Sequence, residues 1–230
     1  MSANRSSSVC NVLIVLLTTA IAHVASHTAS AQNWPQWLGP NRDAKITGFK
    51  APAVWPKELK QKWKVEIGDG VATPALVDDK LFVFSRQANN EIVRCLNAAT
   101  GDELWQDKYE SLPIMGSAAG FQGPRSSPTV ADGKLITLGT RGILSCYDFA
   151  GKLLWRKNDF PGTNPRFYFS SSPLVADGVC LAQLGGNSAA LVAYKLNDGA
   201  EAWRWTGDGS AYSSPVMMSV DGMTVVVAVT

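Results

Sequence analysis

An all-β fold is what this sequence predicts, a β-propeller of four-stranded antiparallel blades, and two recurring spacings carry the prediction. A Gly-x-x-x-Trp tail occurs three times, at Gly101 and Trp105, Gly151 and Trp155, and Gly199 and Trp203, so the tryptophans stand 50 and 48 residues apart. A Pro-x-x-x-Asp turn signal precedes each tail, pairing Pro74 with Asp78, Pro128 with Asp132 and Pro173 with Asp177; a longer form, Pro215 and Asp221, opens a fourth unit. A period of this length marks one supersecondary unit repeated along the chain. Four short strands per unit, arranged radially, make a propeller.

The second unit shows the reading strand by strand. Residues 126–131 (SSPTVA) alternate as strand A, and Asp132-Gly133 supplies the positive φ angles of a tight hairpin turn. Residues 134–140 (KLITLGT) form strand B, 143–147 (ILSCY) strand C, and 153–157 (LLWRK) strand D after the turn at 148–151. The first unit places its strands at 75–77, 81–84, 91–96 and 103–106, and the third at 174–176, 179–184, 189–194 and 201–205. In the fourth, 225–230 (VVVAVT) reads as strand B. A blade cannot bury both faces alone, so a large flat side chain from an outer strand is expected to reach the neighbouring sheet. An indole contributes about 150–250 Å² and one N–H that needs an acceptor. Room for that ring is expected from the glycines and from the small residues Cys95, Cys146 and Ala193, which stand in matching places.

Residues 1–31 read as a secretory signal: Arg5 in the charged region, an apolar stretch over 12–24, and Ala29-Ser30-Ala31 as the cleavage site. The stretch is shorter than the roughly 20 residues that span a bilayer, and Cys10 precedes it instead of closing it, so no lipid anchor is expected. A lead-in follows over 32–59 and the repeats occupy 60–230. Removing Arg5 from 21 Lys plus Arg, against 19 Asp plus Glu, leaves a formal net charge of about +1. Such a balance gives no electrostatic footprint for nucleic acid or an anionic membrane.

Both histidines, His23 and His27, fall inside the signal, so the remainder has none for general base, metal ligation or a nucleophilic triad. Cys95, Cys146 and Cys180 are an odd number in an oxidising compartment. Packing as small apolar side chains is the preferred reading of Cys95 and Cys146, with a redox pair as the alternative.

NAATGDELW at 97–105, together with SSPTVADG at 126–133, resembles the PQQ-like β-propeller repeat and its tryptophan-docking motif, Ala-x-Asp-x-x-Thr-Gly-x-x-x-Trp. Cys95, Asn97, Thr100, Gly101 and Trp105 match it with Cys and Asn substituted. The second copy keeps Asp148 in a turn one residue shorter, and the third has Lys195 where Asp is usual. WPQWLGPNR at 34–42 is similar to the lead-in of secreted bacterial members, and KQKWKVEI at 60–67, with Trp63, to a strand that completes a last blade. The resemblance implies seven or eight blades, so the chain is expected to be an incomplete propeller and a fragment of a longer product.

Two functions follow from the resemblance. The preferred one is a non-catalytic, BamB-like binding or assembly scaffold, secreted or periplasmic, without cofactor or metal, whose partner is a protein or other envelope component. The alternative is part of a quinoprotein alcohol or sugar dehydrogenase carrying pyrroloquinoline quinone and calcium. That activity implies an Asp base, a calcium set and often adjacent cysteines. No adjacent cysteines occur here, and Asp159 and Asp208 lack calcium-like spacing. Any ligand site is expected where the long loops at 111–126 and 161–171 meet the channel, offering Arg125, Asn164, Arg166, Tyr168 and Tyr212 to a carboxylate or phosphate. The arginines have a plainer reading as holders of loop carbonyls. The serine pairs 126–127, 171–172 and 213–214 are expected to cap strand starts.

Overall fold

The computed structural model describes residues 32–186 and 190–230; the signal reading of 1–31 lies outside them. The blades begin with β1 (Ala75–Val77), β2 (Lys80–Gln87), β3 (Asn90–Asn97) and β4 (Glu103–Glu110). The second is β5 (Thr129–Ala131), β6 (Lys134–Leu138), β7 (Leu144–Asp148) and β8 (Leu153–Lys157), and the third β9 (Leu174–Ala176), β10 (Val179–Leu184), β11 (Ala190–Lys195) and β12 (Glu201–Thr206). Each is a four-stranded antiparallel meander in chain order, and β13 (Val216–Val220) with β14 (Met223–Val227) makes a two-stranded hairpin. The innermost strands meet across blades, β1 with β5 and β5 with β9, which is the radial arrangement of a propeller.

Turn chemistry explains the A-to-B hairpins. Asp132 and Gly133 have φ of 50° and 70°, the left-handed geometry that matches strand twist, and Asp177-Gly178 and Asp221-Gly222 repeat it. At the C-to-D turns the Asn97 carboxamide oxygen accepts from the N–H of Ala99 and Thr100, and the Asp148 carboxylate from Ala150 and Lys152. In the third blade Asp198, three residues beyond Lys195, accepts from Ala200.

Strand ends depart from the sequence pattern where a polar partner lies out of sight. The first blade runs well past Phe84, because the buried Arg86 guanidinium donates to the carbonyls of Ala88 and Ser111 and so sustains a polar strand end. Strand β5 starts late, since the Ser127 N–H is turned to Ser172 of the next blade, and β6 stops at Leu138, since the Thr140 N–H is turned to Glu91 of the previous one. The fourth hairpin begins its second strand at Met223, because Val220 pairs with Met223 across the two-residue turn. Residues 60–67 form no strand; the Ile67 carbonyl accepts from Ser85 and Arg94 of the first blade.

The core lies between the blades. Phe82, Phe84, Val93 and Cys95 face Leu135 and Tyr147 of the second blade, and Ile136, Leu138 and Leu144 face Cys180, Ala182 and Leu184 of the third. Leu174, Leu181 and Ala193 present the third blade's forward face to Val226 of the hairpin.

Candidate functional site

A propeller's inner strand edges and the loops above them position any axial site. Here the lead-in lies along those edges. Trp34 exchanges both backbone hydrogen bonds with Leu76 of β1, at 2.7 and 2.9 Å, and the Pro35 carbonyl accepts from Val130 of β5 at 2.7 Å. Further along, the Arg42 guanidinium donates to the carbonyls of Pro173 and Pro215, which open strand A of the third and fourth units. Thr129 shares the Pro173 carbonyl at 2.8 Å. One lead-in thus reaches the inner edge of four units. Burial lowers the Arg42 pKa to about 10, which leaves the group charged at neutral pH.

Beside the lead-in the serines form a girdle. The residue before the second, third and fourth strand-opening prolines receives a hydrogen bond from its counterpart one blade earlier: Thr73 N–H donates to the Ser127 hydroxyl (3.2 Å), Ser127 N–H to Ser172 (2.9 Å) and Ser172 N–H to Ser214 (2.8 Å). In place of the expected caps on their own strands, Ser127, Ser172 and Ser214 bridge blades, since the proline that follows each has no N–H to offer its hydroxyl.

The five predicted ligand residues are placed as follows. Arg125 donates to the carbonyls of Phe121 (2.7 Å) and Phe167 (3.3 Å). The buried Tyr168 accepts from the Met115 N–H at 2.9 Å, and Tyr212 from the Phe167 N–H at 3.1 Å. Arg166 is exposed and folds its guanidinium over the Phe167 ring at 5.4 Å. Asn164 is partly buried, its Oδ1 without a partner among the described residues. Arg125, Tyr168 and Tyr212 therefore converge on the loop at 167–168 and brace it. A cavity of about 250 Å³ lies next to these loops, lined by Asp69, Gly70, Val71 and residues 120–123; none of the five lines it.

The indoles occupy corresponding positions between blades. Trp105 Nε1 donates to the Phe149 carbonyl at 3.0 Å, Trp155 Nε1 to Leu196 at 3.0 Å and Trp63 Nε1 to Ala98 at 3.1 Å, each acceptor lying in the following blade. Each ring covers a glycine there. A Cβ on Gly151 (φ 86°) would stand 2.5 Å from the Trp105 ring, and one on Gly199 2.8 Å from Trp155; Gly101 bears the same relation to Trp63 at 2.8 Å. Within its own sheet each indole opposes the small residue, Cys95 with Trp105, Cys146 with Trp155 and Ala193 with Trp203, and the ladder shifts register just after each pair. Trp155 is 7% exposed, whereas Trp203 is 45% exposed.

Pattern reading missed a set of polar residues between the first two blades. Glu91, fully buried, accepts from Tyr109 Oη (2.6 Å), Thr140 N–H (2.9 Å) and Thr140 Oγ1 (2.5 Å). Asp107 accepts from Tyr147 Oη (2.9 Å) and from Arg156, whose guanidinium lies 4.5 Å over the Tyr109 ring. Desolvation first, then Glu91, pushes the Tyr109 pKa well above the ordinary phenol range. One signal was available: Tyr147 and Tyr194 each follow the small residue that opposes an indole, and Tyr194 donates to Asp159 at 2.8 Å as Tyr147 does to Asp107.

Cys95, Cys146 and Cys180 are buried thiols outside any disulfide. Burial pushes Cys95 up to about 11 and Cys146 to about 12. Among the described residues no three His, Cys, Asp or Glu side chains gather as a metal set, and Asp159 is engaged by Tyr194.

Residues 88–230 match the family model described as outer membrane protein assembly factor BamB. The chain belongs to this family of PQQ-like propeller repeats. Among solved structures, quinohemoprotein alcohol dehydrogenase from Comamonas testosteroni is 24% identical with a TM-score of 0.56, covering 79% of this chain and 28% of its own. A europium-containing methanol dehydrogenase is 21% identical (TM-score 0.48, 65% of this chain, 26% of its own). BamB from Moraxella catarrhalis is 17% identical (TM-score 0.45, 76% and 49%). The chain spans about a quarter of the length of the two dehydrogenases and half that of BamB. No curated protein matches it. Among the described residues no helix is long and apolar enough to cross a membrane.

Proposed function

We propose that this BamB-family chain acts as a non-catalytic scaffold of the cell envelope, secreted or periplasmic after cleavage behind Ala31, and binds a protein or other envelope component. The observation that carries this reading is the engagement of the hub: Arg42, Arg125, Tyr168 and Tyr212 all bond to the protein's own backbone, and the lead-in lies along the strand edges where an axial ligand would sit. The family description, an assembly factor, supports a protein partner. In this reading Trp105, Trp155 and Trp203, with Gly101, Gly151 and Gly199, are structural docking residues that hold blade to blade, and Trp203 serves a blade that follows.

The test is titration of the chain with pyrroloquinoline quinone and calcium, following reduction of a redox dye with an alcohol or sugar. No dye reduction, with recovery of a defined protein partner on crosslinking in the envelope, is the expected result. Quinone-dependent dye reduction would replace the scaffold by the dehydrogenase reading. N-terminal sequencing of the exported protein, expected to begin at Gln32, checks the compartment.

A further inference from the structure

A cavity of about 260 Å³ lies between the first and second blades, on the side where each blade's last strand leads on to the next. The first blade lines it with Glu110, Ser111 and Leu112 at the end of β4. The second lines it with Arg141 and Ile143 of the β6-to-β7 turn and with Asn158, Pro161 and Gly162 beyond β8. The stretch beyond β8 is tied to the third blade, since Tyr194 donates to Asp159 and the Arg204 guanidinium lies 4.9 Å over the Phe160 ring. Both walls therefore belong to blades that pack against each other within this chain. Further blades of a longer ring would add to the back of the first blade and to the hairpin, not to this junction.

Arg141 is held in one orientation. Its Nε and Nη2 donate to the carbonyls of Leu112 (3.0 Å) and Pro113 (2.7 Å), and the guanidinium lies 5.3 Å over the Tyr168 ring. Its Nη1 has no partner among the described residues. Asn158 is exposed, and its carboxamide is likewise without a hydrogen bond among them. By the alternation of β8 it shares the face of Arg156, whose guanidinium reaches the first blade over the Tyr109 ring. The same alternation along β4 turns Tyr109 toward the second blade and Glu110 to the opposite face, and no ion pair joins Glu110 to Arg141. Ser111, 3% exposed, adds a hydroxyl with no partner among the described residues, while its N–H and carbonyl are taken by Asn89 and Arg86. The rest of the wall is apolar, formed by Leu112, Ile143 and Pro161.

We propose that this cavity binds a small aliphatic carboxylate. The free Nη1 of Arg141 and the Asn158 amide supply donors to the two carboxylate oxygens, and a guanidinium already braced by two carbonyls has little further freedom to lose on binding. Leu112, Ile143 and Pro161 give the hydrocarbon part a surface to cover. Pockets for drug-sized ligands run to about 300–1,000 Å³, so the occupant is smaller than these. Inorganic phosphate would match the charge but leave the apolar wall wet. The site goes beyond the scaffold reading and does not depend on it.

The experiment is isothermal titration calorimetry of the full chain with isovalerate, its uncharged amide isovaleramide, acetate and inorganic phosphate. Saturable binding of isovalerate is expected, about tenfold or more tighter than isovaleramide or phosphate, because hydrogen bonds to a charged group are the stronger kind. Asn158→Asp sets a like charge beside the ligand and should weaken isovalerate by about tenfold or more. Leu112→Ser should weaken isovalerate by about threefold or more and leave acetate unchanged. Both side chains are exposed, so the urea midpoint of each variant should match the parent. No saturable heat with isovalerate, or either variant binding it like the parent, would overturn the proposal. Phosphate bound as tightly as isovalerate would overturn it in favour of a general anion site.

Discussion

The junction between the first and second blades adds an ionic network to its apolar core, whereas the junction between the second and third is mainly apolar, although both are closed by an indole hydrogen-bonded to the next blade. In the first, Glu91 crosses to Thr140 while Asp107 and Arg156 bracket Tyr147. In the second, Ile136, Leu138 and Leu144 meet Cys180, Ala182 and Leu184, with Trp155 buried against Tyr194. The repeat fixes the ring, the glycine and the carbonyl; the filling between them differs. An apolar junction gains from area removed from water, whereas a buried polar one holds only while every partner is present.

Trp155→Ala should show the largest effect, a loss of about 3–5 kcal/mol in urea unfolding, as expected for truncating a buried aromatic. Trp203→Ala, at a ring nearly half exposed, should cost less than about 1 kcal/mol. Equal losses at the two sites would break the idea that the following blade creates the value of the indole.

Glu91→Gln tests the polar junction. The amide can serve only part of the three donors that the carboxylate accepts, so a loss of about 2 kcal/mol is expected, while the apolar junction should not respond. A neutral outcome would mean that packing alone holds the first pair of blades.

A pair of glycines sharpens the comparison at smaller scale. Gly133→Ala meets nothing within 4 Å and should cost only the left-handed penalty of about 1–2 kcal/mol. Gly151→Ala adds the collision with Trp105 and should exceed it by about 1 kcal/mol in the same assay. The difference between the two, not either value, measures ring-on-glycine contact.

A further prediction concerns pH dependence. Burial raises the Cys95 thiol from 9.0 to about 11 and Cys146 to about 12. Between pH 9 and these values the folded state keeps protons that the unfolded chain has released. Stability is therefore full below about pH 9 and declines as pH rises toward 11 and 12. Midpoint denaturation across that range, with Cys95→Ala flattening the slope, checks the sign.

Legibility followed periodicity. Strands β8, β9 and β10 fell where alternation and Asp-Gly turns put them, because neighbours in sequence decide a hairpin. Partners far apart in sequence were not legible: Glu91 reads as an ordinary polar strand residue until the Thr140 amide is brought to it, and Ser127 as a local cap until Thr73 turns toward it. Arg125 differs, because its plainer reading as a holder of loop carbonyls is where its side chain lies, on Phe121 and Phe167.

By itself the sequence determined the repeat, the meander within each blade and the placing of a small residue beside each tryptophan, since all three depend on spacings of a few residues. Only the tertiary structure decided which glycine each ring covers, that the lead-in lies along the hub, and that among the described residues an ion pair crosses one junction and not the next. The reason is physical: hydrogen bonds and burial between blades join residues some 40 to 170 positions apart, as Arg42 to Pro173 and Pro215 or Trp155 to Leu196, and no local pattern encodes a partner at that distance.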